Sequence, residues 1–150
     1  MPKIPYIALA VIIVGLVVVV SILYIGFLRG TSTHVEGASN GKLIYTKGID
    51  SAGVRISYTG GPVGMMRYTG CIGCHGATGE GGIYPMMCNV KTPDIRYTSL
   101  VASGYNDTTI TRAITLGIDE SGEQLDPCMP RWQMSLMDLK DLISYLKELG

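Results

Sequence analysis

Within "YTGCIGCHGATGEGGIYPMMC", residues 68–88, Cys71 and Cys74 stand three apart, His75 follows at once, and four glycines fall in the next seven positions. Two thiols and an imidazole at this spacing can serve three chemistries. A thioredoxin-like redox pair expects its C-x-x-C in a βαβ pattern, which these Gly-rich surroundings do not supply. A structural zinc site takes four ligands, usually with a second Cys/His pair. The other histidine is His34, and the remaining cysteines, Cys88 and Cys128, stand alone, 40 residues apart. The third chemistry is covalent attachment of one c-type haem, the specific meaning of C-x-x-C-H. Both thiols then become thioethers to the porphyrin vinyl groups, and His75 places its imidazole beneath the iron. One helical turn can present both sulfurs along one edge of the macrocycle and direct the next residue under the metal.

A low-spin electron-transfer haem takes a second axial ligand, usually a methionine thioether or a histidine. His34 lies in the polar segment "RGTSTHVEGASN" and reads as a solvated linker residue. The chain has eight methionines. Met65, Met66, Met86 and Met87 come in pairs and read as pliable packing around an apolar ligand, and Met137 as partial core of the last helix. Met129 differs, because it sits in "LDPCMPRWQMS" between Pro127 and Pro130. Those prolines stiffen the loop that must hold a weak thioether bond. Met129 is therefore the better candidate, with Met134, close to a helix start, as its main rival.

The elements around these residues are short. "NGKLIYTKG" suggests a helix with Asn40 as N-cap and Gly48 as stop. "GVRISYTGGPVGMM" alternates Val54, Ile56 and Tyr58 against polar neighbours and breaks at Gly60-Gly61-Pro62, which suits a small strand or hairpin. Residues 76–94 read as an irregular loop wrapped around something rigid. "DTTITRAITLG" predicts a helix capped by Asp107, with Ile110, Ala113 and Ile114 on one face and Gly117 after its end. "SLMDLKDLISYLKEL" carries a Ser135/Asp138 capping box and an apolar stripe of Leu136, Leu139, Leu142, Ile143, Leu146 and Leu149. About 110 residues with long loops leave a thin apolar core, which a large flat prosthetic group would complete.

Ahead of this domain, Tyr6 to Leu28 holds 23 residues without a charge. A helix of that length spans roughly 35 Å, enough for a hydrocarbon core of about 30 Å, and the run exceeds the usual h-region of a cleaved leader. The organisation expected is a tail at 1–5, a transmembrane anchor at 6–28, a linker at 29–40 and a haem domain at 41–150. Lys3 and Arg29 flank the run almost evenly, so positive-inside evidence barely orients it. The whole chain is formally neutral, and residues 30–150 hold ten Lys/Arg against twelve Asp/Glu. Nothing resembles a nucleic-acid-binding stripe.

Cys71-Ile-Gly-Cys74-His75, the downstream "TPDI", "MPRW" and the closing "DLKDLISYLKEL" resemble class I monohaem cytochrome c over roughly residues 40–150. More narrowly, the chain is similar to membrane-anchored cytochrome c domains found with bacterial respiratory oxidases and related complexes. The resemblance implies a mainly α cytochrome c fold, a few short helices around one haem, here preceded by a single transmembrane helix. It implies a first helix crossing the last through a glycine and an aromatic, matched by Gly41, Tyr45 and Tyr145. It also implies a proline carbonyl at the ligand histidine's Nδ1–H, matched by Pro93. About 25 residues separate Tyr45 from Cys71, an insertion at about 46–69 that compact members lack. Haem attachment in the family implies a haem domain in the periplasm or another extracytoplasmic space, with the amino terminus cytoplasmic. In such an oxidising compartment the leftover Cys88 and Cys128 suggest a disulfide, the alternative being two separate buried thiols.

The function expected is one-electron transfer by an iron with both axial positions filled, as a shuttle to a respiratory complex or as its subunit. That excludes a small-molecule substrate and an enzyme's own chemistry, and leaves lipid bilayer and redox proteins as partners. The alternative, a haem gas sensor or haem enzyme, needs an open iron. No acid–base set supports a reaction, and Glu80 and Asp94 read as loop solvation or capping groups.

Overall fold

The computed structural model describes residues 14–21, 37–62 and 69–150. The chain divides into two compact units, Met1–His34 and Val35–Gly150. In the first, residues 14–21 are helical and exposed. Among the described residues no helix is long and apolar enough to cross a membrane. The transmembrane helix expected over 6–28 is corrected accordingly. That expectation rests on the run's length and hydropathy, which describe the sequence and not a helix. The rest of the run lies outside the described residues, as do His34, Met65 and Met66.

The second unit is mainly helical. Its elements are α1 (Gly37–Lys47), β1 (Ser57–Thr59), α2 (Ile72–His75), α3 (Tyr97–Ala102), α4 (Asp107–Leu116), β2 (Arg131–Gln133) and α5 (Leu136–Glu148). The α1–α5 crossing is the main internal contact. A Cβ on Gly41 would overlap the Asp141 carbonyl, so only glycine permits this approach. Beside it, the rings of Tyr45 and Tyr145 pack at 5.3 Å, tilted by 57°, a geometry that aromatic quadrupoles favour. Tyr45 is fully buried, and its hydroxyl donates to the Gly76 carbonyl at 2.6 Å. The crossing therefore reaches the residue that follows His75.

Three local expectations are corrected. Asn40 is not a cap: α1 begins at Gly37, and the buried Asn40 amide donates to Asp138 (3.1 Å) and Asp141 (2.7 Å). Its oxygen accepts from the Ser51 backbone N–H at 2.7 Å. A buried amide with such partners on α5 is better satisfied by tertiary contacts than by capping its own helix. α4 is capped by Asn106, not Asp107. The Asn106 side chain accepts from the Thr108 and Thr109 N–H groups, and the Thr109 hydroxyl reciprocates. Asp107 is thereby left to bond Tyr97 and Lys147. On α5, Leu139, Leu142, Ile143 and Leu146 are buried, but Leu136 and Met137 in the first turn are exposed, because the core ends before the helix does. Ser135 accepts from the Asp138 N–H at 3.1 Å as the expected cap.

The insertion has a defined shape over its described part. Asp50 closes a turn by accepting from Ala52 and Val54, Ile49 bridges Arg55, and Ile56 is buried while Val54 is exposed. β1 then pairs antiparallel with β2, setting Tyr58 opposite Trp132. The Gly61 N–H donates to the Pro127 carbonyl at 3.0 Å. The insertion thus runs along the loop that carries Met129.

Candidate functional site

α2 is a single turn. Cys71 stands at its start, and the His75 N–H bonds the Cys71 carbonyl at 2.9 Å. Gly73 permits the turn to pack closely, since a Cβ there would press on the Thr69 hydroxyl. Both thiols are free, Cys74 buried and Cys71 partly so. Burial pushes the Cys71 thiol up to about 12 and the Cys74 thiol upward as well, so the folded chain holds them as neutral, soft hydrophobes.

The His75 ring is oriented from the following loop. Its Nδ1 lies 3.0 Å from the Pro93 carbonyl oxygen. A carbonyl can only accept, so Nδ1 carries the hydrogen and Nε2 keeps a lone pair for a metal. Burial lowers the His75 pKa and so favours the neutral ring, partly offset by this bond. The loop over 76–94 contains neither helix nor strand; it folds on itself through Gly81 N–H to His75 O (2.9 Å) and Gly82 N–H to Thr92 O (2.8 Å). A Cβ on Gly81, whose φ is +65°, would overlap the Pro93 carbonyl. Asp94 accepts from the Arg96 guanidinium at 2.6 Å, the Arg96 N–H at 2.9 Å and the Ser99 hydroxyl at 2.9 Å, tying the loop to α3. The Arg96 guanidinium beside Asp94 holds its carboxyl at about 2. Glu80 pairs with the same arginine at 3.3 Å.

Opposite these residues the chain builds the rest of a cleft of about 780 Å³, open part included. Its lining combines Cys71, Cys74, His75 and Pro93 with Met129, Pro130 and Trp132, and with apolar side chains of α3, α4 and α5. Met134 packs on the core but does not line the cleft, while Met86 and Met87 are exposed instead of packing around a ligand. Cys88 and Cys128 form a disulfide with an S–S distance of 2.01 Å and Cα atoms 6.0 Å apart, tying the loop after His75 to the residue before Met129.

An imidazole nitrogen and a thioether facing one apolar cleft are donors that suit a haem iron, and the two thiols at its edge suit covalent attachment of the macrocycle. Among the described residues no cluster of three or more His, Cys, Asp or Glu side chains could hold a metal ion. The family model for cytochrome c matches residues 64–150.

The chain belongs to the cytochrome c family.

It therefore carries a covalently bound c-type haem and has a haem-based electron-transfer role. No curated protein and no solved structure matches the chain. The bound haem supplies a one-electron couple, and the cytochrome's residues supply its cradle. Cys71 and Cys74 stand where the motif places attachment thiols, and His75 stands at its ligand position. Trp132, buried and tilted 54° against Tyr58 at 5.2 Å, walls the methionine side. Two contributors carry little mark in the sequence. Gly81 belongs to a Gly-Gly pair that signals only a turn. Arg131 lies in "MPRW", yet nothing about its type shows that its guanidinium turns back on its own loop. There Nη1 donates to the carbonyls of Met129 and Asp126, and Nη2 to that of Leu125.

Proposed function

We propose that this cytochrome passes single electrons between redox proteins of a respiratory chain, as a shuttle or as a subunit of a respiratory complex, with His75 and Met129 as axial ligands. One observation carries the reading: Met129 lines the same apolar cleft as Cys71, Cys74 and His75, and Met134 does not. An iron held from both sides offers no position to a reactant, so the residues around it have only to bind, orient and exclude water. The Pro93 carbonyl raises the basicity of His75 through Nδ1–H, while burial and a thioether ligand favour a raised potential. The haem domain is proposed to work outside the cytoplasm, supported by the Cys88–Cys128 disulfide, which persists in oxidising compartments.

The test is spectroscopic. Oxidised, matured protein should show the weak far-red charge-transfer band of methionine ligation. Met129→Ala should abolish it and open the iron to carbon monoxide, whereas Met134→Ala should leave it. A native protein that takes up carbon monoxide readily, or a band that vanishes with Met134 instead, overturns the ligand assignment.

A further inference from the structure

A thioether is a weak ligand, and the segment that would present it, residues 125–130, is neither helix nor strand. Something must hold its backbone. We propose that Arg131 is a positioning residue for Met129, clamping the methionine loop against the end of α4 so that the thioether stays on the iron. The inference rests on Met129 being the second axial ligand.

The guanidinium is bound on two sides. Toward the loop, Nη1 donates to the Met129 carbonyl and, at 3.4 Å, to that of Asp126, while Nη2 reaches the Leu125 carbonyl at 2.8 Å. One planar group thus spans the loop from its first residue to the proposed ligand itself. Toward α4, the group lies on Gly117, the left-handed residue that ends the helix at φ +66°. A Cβ at Gly117 would fall inside the guanidinium, so glycine is required both by the turn and by the space. The same glycine's carbonyl accepts from the Leu125 N–H at 2.8 Å. The arginine backbone is fixed in turn, in register with Thr59 on β1 and next to the buried Trp132.

The Met129 N–H donates to the Asp126 carbonyl at 3.0 Å within the loop, and the ties from outside it act before the methionine. The disulfide holds Cys128, Gly61 holds the Pro127 carbonyl, and Asp126 accepts from the Cys128 N–H at 2.8 Å. Arg131 bonds the carbonyl of Met129 itself. A rigid fork of donors can satisfy three separated carbonyls at once; a lysine ammonium on a flexible stem cannot reproduce that geometry.

Free imidazole added to the oxidised, matured full chain tests the clamp, because it binds the iron only when the thioether leaves. Its apparent affinity therefore reports the fraction of unlatched methionine. Arg131→Gln should bind imidazole about tenfold or more tightly than the parent, the scale of one lost charge-assisted hydrogen bond, and weaken the far-red band. Arg131→Lys should recover only part of the difference. Should Arg131→Gln fail to mature, Gly117→Ala displaces the guanidinium while keeping the arginine, and should raise imidazole affinity in the same direction. An unchanged imidazole affinity in the matured variant overturns the inference. A parent lacking the far-red band, or a band that survives Met129→Ala, overturns the ligand reading beneath it, and the two failures are distinguishable.

Discussion

Gly81→Ala probes the histidine side of the iron through two measurable costs. The Gly81 N–H holds the His75 carbonyl at 2.9 Å, and a Cβ there would overlap the Pro93 oxygen, which accepts the His75 Nδ1–H at 3.0 Å. At φ +65°, alanine first meets left-handed strain of about 1–2 kcal/mol. The overlapped atom is backbone and cannot rotate away, so relief moves the acceptor and weakens a buried hydrogen bond worth about 1 kcal/mol. Together these come to about 2–3 kcal/mol, a fall in Tm of roughly 8–15 °C for a domain of this size.

Gly53→Ala is the matched control. Its φ is +78°, but nothing lies within 4 Å of a Cβ there, so it meets the backbone strain alone, about 1–2 kcal/mol. Electrochemistry then separates clash from strain. A weaker Nδ1–H bond makes His75 a poorer donor and favours the ferrous state; a differential of about 1 kcal/mol corresponds to about 40 mV upward for one electron. Gly53→Ala should leave the potential where it was. Equal melting losses in the two variants, with no change of potential in Gly81→Ala, would refute the claim that Gly81 positions the Pro93 carbonyl.

Two further outcomes follow from the loops. The Asp94 carboxyl is held at about 2, below its unfolded value of 3.8, so its stabilisation is fully present above about pH 4 and disappears as pH falls through about 2. Acid titration of stability should flatten across that window in Asp94→Asn, with a difference of about 1 kcal/mol at neutral pH once solvent screening is allowed for; identical acid profiles would remove Asp94 from the account. Cys88 and Cys128 are 40 residues apart, and closing such a loop restricts the unfolded chain by about 4 kcal/mol in the entropy view. Denatured, unreduced protein should show no titratable thiol from this pair, and Cys88→Ser with Cys128→Ser should melt far lower; two free thiols in the parent would contradict the bridge.

The histidine half of the site is local in sequence, and for that reason it was legible. Cys71, Cys74 and His75 share one helical turn, and Pro93 follows within a single loop closed by its own backbone bonds. The crossing of α1 and α5 was expected from the family resemblance, which Gly41, Tyr45 and Tyr145 match, and the contact at Gly41 is close enough to demand glycine. What did not show was set by distant partners. Asn40 looks like a cap until Asp138 and Asp141 are placed beside it, nearly a hundred residues on. Leu136 belongs to a clean apolar stripe, but the core it should join begins one turn later, at Leu139. The uncharged run over 6–28 satisfied a hydropathy criterion, but among the described residues no helix is long and apolar enough to cross a membrane.

The methionine half is assembled in the opposite manner, and this explains the insertion. Residues 125–130 have no regular structure of their own, so each fixed point must come from elsewhere: Cys88 from the loop after His75, Gly61 and β1 from the insertion, Gly117 from the end of α4, and Arg131 from the strand that follows. Closing such long-range contacts has an entropic cost that a compact chain with a short connection would avoid. That cost is tolerable where the held group is a ligand too weak to hold itself. Under the proposed Met129 ligation, the insertion, the disulfide and the arginine form one solution to one problem, holding a thioether in place at the end of an otherwise shapeless loop. Deleting the β1 hairpin should accordingly act on the methionine side and leave the His75–Pro93 bond intact, because none of its described hydrogen bonds reaches the loop over 76–94.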